Sequence, residues 1–512
     1  MSRAIAAFIF LLAWEAIARA PSMQFIVASP IAITQYVFAN AGLLSRALWT
    51  TTQSAALGFL WGNLTALFLA ALVILQPRVE RAVTILALVV FCLPLVATGP
   101  ILRVIYGPGE GPQITLAALA VYYTSFLALR VGLRAVPQSW TDLMRSYGRG
   151  SWDTLVTVRM RASLPYGFAA LQIAAPAAFL GAMVGEFTGA ERGLGVLTLR
   201  SMRALDTDGT WTIALLATAV SMTVYFAIGA LATRVLKDRP PLLLATPSQS
   251  QSQPIWQMGL SAMGLAVLVL VTWHGMMELF ELNRFFAKRP ADIWSFLVTG
   301  PNAESMRQTL WAALRETLTL TLPGYLAGLG LGAGLAMTVV MFPKLSALIL
   351  PVAIALRSVP IITTAPLLIL ALGRGAVGTI TIVAVMIFFP TLVACAEGLR
   401  QTPGAVSDLF RSYGAGRLRK LALAQIPAML PAFFASARMA IPAGLLAVTT
   451  TEWLATGRGI GNLMALTAST SNYNMLWSAT AALAVFALIM YLAAEAIERR
   501  VLQRYASEQT RP

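Results

Sequence analysis

Asp142-Leu143-Met144-Arg145-Ser146-Tyr147-Gly148 recurs 266 residues downstream as Asp408-Leu409-Phe410-Arg411-Ser412-Tyr413-Gly414. The register holds without a gap from Asp142 to Gly195 and from Asp408 to Gly461, with roughly 20 of about 54 positions identical. The same offset pairs Pro94 with Pro360, Pro100 with Pro366 and Pro137 with Pro403. Apolar composition alone gives chance similarity between hydrophobic runs, but it does not keep Asp, Arg, Tyr, Pro and Glu in step for that long. The chain is a tandem repeat.

Outward from this segment the sequence is overwhelmingly apolar. Of the 512 residues, 58% are hydrophobic and 11% charged, against about 45–50% and about 25% for a soluble globular chain. Runs near 4–20, 53–75, 82–105, 114–134, 164–187 and 211–234 in the first half are matched by runs near 257–275, 315–341, 345–371, 376–397, 430–454 and 476–496 in the second. A bilayer core of about 30 Å is crossed by about 20 such residues in a helix. The expectation is an all-α integral membrane protein of about twelve spans, arranged as two parallel six-span repeats. Residues 1–236 form the first half and 257–512 the second. Between them, 237–256 holds Pro240-Pro241 and the run SQSQSQ, a composition suited to a flexible linker.

The net charge of +16 does not indicate nucleic acid, because the Lys and Arg sit in short loops between apolar runs. Arg78 and Arg81 follow the second run, Arg134, Arg145, Arg149, Arg159 and Arg161 the fourth, and Arg234, Lys237 and Arg239 the sixth. Lys344, then Arg400, Arg411, Arg417, Arg419 and Lys420, then Arg499 and Arg500 repeat the pattern. All fall on one side if both termini are cytoplasmic. An even number of spans per half keeps the orientation of the repeat, so the halves relate by an axis along the membrane normal. The N-terminal run, with Arg3 and Ala18-Arg19-Ala20, has the look of a signal peptide. A similar run opens the second half, and Trp14 and Pro30 find counterparts in Trp273 and Pro290, so it is read as a retained span. Cys92 and Cys395 lie inside apolar runs and read as small buried residues rather than metal ligands or a disulfide. His274, the single histidine, reads as structural.

The loop after the fourth span carries the mechanism. Trp140, Leu143, Met144 and Tyr147 recur at three- and four-residue steps, the pattern of an amphipathic helix. Asp142 lies three residues after Ser139, a spacing like a capping box, and Pro403 is placed to be a first helical residue. Gly148 and Gly414 would end the helix, and a second short basic helix would lead to Leu164-Pro165 or Leu430-Pro431. Such a helix can lie in the lipid interface. Lipid needs only an apolar face, however, whereas a fixed Arg-Ser-Tyr-Gly in both copies suits two equivalent sockets on a two-fold partner.

At these residues the chain resembles the binding-protein-dependent inner-membrane permeases of ABC importers. Their signature is Glu-Ala-Ala, three residues, Gly, and a Leu-Pro about ten residues on. Asp142-Leu143-Met144 and Asp408-Leu409-Phe410 stand for the Glu-Ala-Ala, and Gly148 and Gly414 fall at the matching place. Ile426-Pro427 fits the downstream pair, whereas Met160-Arg161 lacks the proline. Leu356-Arg357-Ser358-Val359-Pro360, Pro366-Leu367, Glu186-Phe187, Glu452-Trp453 and the turns Arg192-Gly193-Leu194-Gly195 and Arg458-Gly459-Ile460-Gly461 resemble the nitrate, sulfonate and taurine branch, which includes pyrimidine-precursor permeases. The resemblance implies that each loop helix is a coupling helix seated on an ATPase subunit. Asp142, Arg145, Ser146, Tyr147 and Gly148, and Asp408, Arg411, Ser412, Tyr413 and Gly414, would then carry the contact. It also implies two ATPase subunits using ATP and Mg, and a solute-binding protein that delivers a small solute. An organic anion, sulfonate, nitrate or pyrimidine precursor fits that branch. Family members usually carry one half per chain, so the fusion is a departure.

Ionisable residues inside spans cost about 2.5–3.5 kcal/mol on insertion scales and usually face protein or water. Arg357 and Arg438 are such residues, and Gln172 occupies the position of Arg438 in the first half. Arg357 either faces the central cavity or snorkels to the surface. Glu186 and Glu452, near the outer ends of their spans, either gate the pathway or cap the following Gly-rich turn. Pro94, Pro100, Pro360 and Pro366 either break two spans along a pathway or kink them for packing. A twelve-span transporter driven by an ion gradient is the rival reading, but it needs no matched pair of docking helices. No HExxH and no P-loop is present, so neither a zinc enzyme nor an ATPase of its own is read here.

Overall fold

A computed structural model describes residues 3–20, 27–236, 255–342, 344–346, 368, 372–373 and 375–505. The first half runs α1 (Arg3–Ala18), α2 (Pro30–Ala39), α3 (Ala41–Leu75), α4 (Glu80–Phe91), α5 (Leu95–Tyr106), α6 (Gly111–Arg134), α7 (Gln138–Ser146), α8 (Ser151–Phe187), α9 (Leu194–Arg203) and α10 (Thr207–Val235). The second runs α11 (Ile255–Leu279), α12 (Pro290–Trp294), α13 (Ala303–Met341), α14 (Ala376–Arg400), α15 (Gly404–Ser412), α16 (Arg417–Thr456), α17 (Gly459–Ser469) and α18 (Tyr473–Tyr505). No strand occurs among the described residues. The 266-residue register found in the sequence carries over to the elements: α7 and α15 correspond end to end, and the pairs α6/α14, α8/α16, α9/α17 and α10/α18 begin within a residue or two of it.

Eight described helices are long and apolar enough to span a membrane: α3, α6, α8, α10, α13, α14, α16 and α18. The expected span at 82–105 is not one straight helix. It is a bent pair, folded by 93° between Phe91 and Leu95. Pro94, with φ −69° and ψ 117°, takes the extended conformation that begins α5 and so makes the break. Pro100 makes none, lying inside α5. The run at 4–20 forms the 16-residue α1, and that at 257–275 lies in α11. The run at 345–371 falls largely outside the described residues, as do Arg357, Pro360, Pro366 and most of the 237–256 linker.

Close helix packing within each half depends on small residues, as in membrane bundles generally. Gly58 and Gly62 of α3 lie against Ala117 and Ala118 of α6, and a Cβ on Gly62 would meet the Ala118 carbonyl oxygen at 2.7 Å. Gly324 and Gly328 of α13, 266 residues on, lie against Val383 and Ala384 of α14, with the same clash at 2.8 Å for Gly328. The first helix of each half docks on the last through a tryptophan pair. The Trp14 and Trp211 rings are 6.0 Å apart, and Trp273 stacks on Trp477 at 5.5 Å. The repeat therefore reaches α1 and α11, where sequence identity has faded. Pro30 and Pro290 each sit at the start of a helix, α2 and α12.

The two halves meet along α5, which packs against α16, α17 and α18. One apolar core crosses this seam, taking in Val96, Ala97 and Ile101 from α5 and Leu445, Val448, Ile460 and Leu476 from the second half.

Candidate functional site: a matched pair of exposed helices

α7 and α15 are nine residues each, and neither buries a single side chain. Both begin after a proline in extended conformation, Pro137 and Pro403. Pro403 thus stands just before the helix rather than at its first position. The capping box expected from Ser139 and Asp142 does not form, because the helix starts at Gln138 and Ser139 is already inside it. Asp142 instead pairs with Arg145 at 3.4 Å, and Asp408 with Arg411 at 3.6 Å. Ser146 and Ser412 turn inward, their hydroxyls donating to the carbonyls of Leu143 and Leu409 at 2.8 Å.

Each helix ends on a left-handed glycine, Gly148 at φ +68° and Gly414 at φ +64°. The chain reversal satisfies the last carbonyls: Arg149 N–H donates to Met144 at 3.0 Å, and Ala415 N–H to Phe410 at 2.9 Å. That is the glycine-terminated cap expected of these positions. It leaves Tyr147 75% exposed and Tyr413 82% exposed, with Leu143 and Leu409 beside them and Trp140 exposed on α7. A short helix with an uncovered aromatic and leucine face is thus present twice.

The chain then enters α8 or α16 directly. The separate short basic helix expected here is the first turn of the span itself, joined through a π-helical turn at Leu155–Arg159 and Leu421–Gln425. At 1.5 Å per residue these helices are about 55–60 Å long, longer than the bilayer core of about 30 Å, so they project beyond it. The loop after each exposed helix thus leads straight into one long helix that enters the membrane.

At the other end of α8 and α16, Glu186 and Glu452 are buried. Glu186 accepts the Thr51 hydroxyl at 2.6 Å and the Gly195 N–H at 2.6 Å, while Thr51 accepts the Leu194 N–H at 2.8 Å. Glu452 repeats this with Thr317 at 2.7 Å and Gly461 at 2.8 Å, and Thr317 accepts from Ile460 at 2.9 Å. Two N–H groups at the start of α9 and of α17, which no helix can satisfy internally, thus find oxygens. This is the capping geometry, with the carboxylates turned into protein. Thr51 and Thr317 escaped the sequence reading, since a threonine in an apolar run gives no signal until its partner is known.

Gln172 and Arg438 occupy matched places in unmatched surroundings. The Gln172 amide lies against Gly229 of α10. Arg438, partly buried, is 3.0 Å from the buried Glu498 of α18. In the repeat register Glu495 and Glu498 replace Gly229 and Ala232, so the cation came with its own counter-charges.

Residues 57–238 and 328–503 each match the family described as binding-protein-dependent transport system inner membrane component. A probable ABC transporter permease protein of Haemophilus influenzae is 30% identical over 221 residues, covering 43% of this chain and 90% of that protein. The riboflavin transport system permease protein RibX of Chloroflexus aurantiacus is 26% identical over 253 residues, 48% of this chain and 91% of its own length. The formylaminopyrimidine transport permease protein ThiX of Halalkalibacterium halodurans is 26% identical over 197 residues, 38% and 79% respectively. Each relative matches about half of this chain with most of its own length, as expected where one chain holds two permease units. Proteins of this family are transport subunits rather than enzymes, and work with ATPase and solute-binding partners. With both halves matched, the chain belongs to the binding-protein-dependent inner-membrane permeases of ABC transporters, as a tandem fusion of two permease domains.

Proposed function

We propose that this chain supplies both halves of the membrane pathway of an ATP-driven importer, with one ATPase subunit seated on α7 and another on α15. The observation that carries this is the duplicate exposed face around Tyr147 and Tyr413, each held out by its left-handed glycine. The ATPases would bind ATP and Mg, with none needed on this chain. On ATP binding the two subunits close, drawing α7 and α15 together. Because α8 and α16 are continuous with the loops behind these helices, that movement reaches the seam and shifts the pathway between inward- and outward-facing states. Both termini and the basic loops lie on the cytoplasmic side in this reading. A solute-binding protein docks on the opposite face.

The cargo is a small solute. Relatives named for riboflavin and for a formylaminopyrimidine favour a nitrogen heterocycle, and a nitrate permease among the matches keeps small anions within the same branch. An ion-gradient transporter of twelve spans is not favoured, because nothing in that mechanism uses the duplicate helices. The test is import into proteoliposomes holding the permease, its ATPases and its binding protein. Replacing Tyr147 and Tyr413 by Ala together should leave protein levels in the membrane unchanged and abolish ATP-dependent uptake, with ATP hydrolysis no longer responding to cargo. Wild-type uptake by the double variant would contradict the reading.

A further inference from the structure

An apolar groove opens on the surface of the first half, between α3, α6 and α8, at their ends nearest α7. Its volume is about 230 Å³, room for roughly eight water-sized groups. Leu133 and Leu155 form its buried floor, while Leu64, Phe68, Trp152 and Val156 stand exposed around it. The floor is tightly built, because a Cβ on Gly132 of α6 would meet the Cβ atoms of Tyr166 and Ser163 of α8 at 2.8 and 3.0 Å. The groove residues of α3, from Leu64 to Ala71, precede the end of that helix at Leu75. At 1.5 Å per residue they lie about 6–17 Å into the helix, the depth of one bilayer leaflet. An apolar space of this kind does not hold water.

A cation stands at its edge. Arg159 follows Val156 by three residues on α8, hence on the same helix face, and its Nη1 donates to the carbonyl of Leu133 at 3.3 Å. That occupies one of five guanidinium N–H donors. Among the described residues Arg159 forms no ion pair, and the Glu80 carboxylate is taken by Arg130 and Arg134 at 3.9 and 2.6 Å. Arg78 and Arg81, just beyond the end of α3, and Arg161 are exposed and of the same sign. The second half shows that groove and cation go together. At the matched positions Leu64, Phe68 and Trp152 become Gly330, Gly334 and Leu418, and Arg159 becomes Gln425. Gly330 and Gly334 face open space. The bulky walls and the arginine are thus joined in one half and both missing from the other. A wall that needed only to be apolar would carry an arginine or not regardless of its shape.

We propose that this groove holds one anionic phospholipid, with an acyl chain along Leu64 and Phe68 and the headgroup phosphate on Arg159. A guanidinium can grip a phosphate through two parallel N–H bonds, and the surrounding positive charge favours an anionic headgroup over a zwitterionic one. The site is independent of the ATP-driven cycle. The test uses the full chain purified in dodecyl maltoside, with dioleoyl phosphatidylglycerol, dioleoyl phosphatidylcholine or inorganic phosphate added. Native mass spectrometry and the melting temperature are the readouts. Phosphatidylglycerol should remain bound at one per chain and raise the melting temperature more than phosphatidylcholine, and inorganic phosphate should do neither. Arg159→Gln should weaken phosphatidylglycerol binding about tenfold, the loss of one hydrogen bond to a charged group, and leave phosphatidylcholine unaffected. Ala71→Phe, which fills the groove, should weaken both lipids with the arginine intact. Arg417→Gln, which removes a cation at the start of α16, should change nothing. Equal binding of the two lipids, or equal weakening by Arg159→Gln and Arg417→Gln, would overturn the site. A chain that runs as a dimer until Ala71→Phe dissociates it would give the groove to a second copy and overturn it too. The comparison of Arg159→Gln with Arg417→Gln decides the matter whether or not the filled variant folds.

Discussion

Glu452 and Gly459 illustrate how tightly single residues are fixed at the outer ends of the spans. Gly459 has φ +80°, and a Cβ built on it would lie 2.1 Å from Glu452 Oε1 and 2.7 Å from Oε2, the oxygen that caps α17. Gly457, two residues earlier, has φ +66° but opens onto empty space. Gly457→Ala should therefore cost only the left-handed penalty of about 1–2 kcal/mol. Gly459→Ala should cost more, since the carboxylate must also leave its N–H partner. Melting curves in detergent would check the order, and equal losses at the two sites would show that the cap contributes nothing. The sequence pointed to Glu186 and Glu452 through their repetition and left capping and gating both open. What it lacked was the partner. Thr51 and Thr317 lie 135 residues before their glutamates, and only the folded bundle brings them together. Arg438 was legible as an intramembrane charge, whereas its dependence on Glu498 was not.

Among the elements, the exposed helices were the most legible, and the broken span was legible only in part. The polar residues of α7 and α15 keep their register in both copies, and the glycine that ends each helix is a local signal. Their starts were misjudged by a residue or more, because an extended proline and a capping serine both mark a helix beginning and only one can occupy the boundary. Hydropathy sees composition and not direction, so 82–105 counts as one run; the prolines flagged a break or a kink there, but not that Pro94 alone makes it or that it turns the chain by 93°. The tight contact between α13 and α14 was also invisible, since glycines in an apolar run look like any small residue. Gly328→Leu should force these helices apart, at an overpacking cost of about 1–3 kcal/mol or more, because its Cβ would meet the Ala384 carbonyl oxygen at 2.8 Å. Gly330→Leu, with open space around it, should be nearly neutral. The yield and melting temperature of the two variants would check this, and similar behaviour would count against the packing described.

For the whole molecule, fusion of the two halves has a physical consequence. Two identical chains meeting on a two-fold axis must place every seam residue twice. A fused pair is free to place Arg438, Glu495 and Glu498 in one half and Gln172, Gly229 and Ala232 at the matched places of the other. The duplicate α7 and α15 are retained where the proposed function seats the ATPases, whereas the halves diverge around Arg438. The account stands on both gripping helices facing the same side of the membrane. Single cysteines at Tyr147 and at Tyr413, with Cys92 and Cys395 replaced by alanine, can be labelled with a membrane-impermeant thiol reagent in inside-out and right-side-out vesicles. The account predicts that both positions react in inside-out vesicles only, and that bound ATPase protects both. Labelling of the two positions from opposite faces would contradict it.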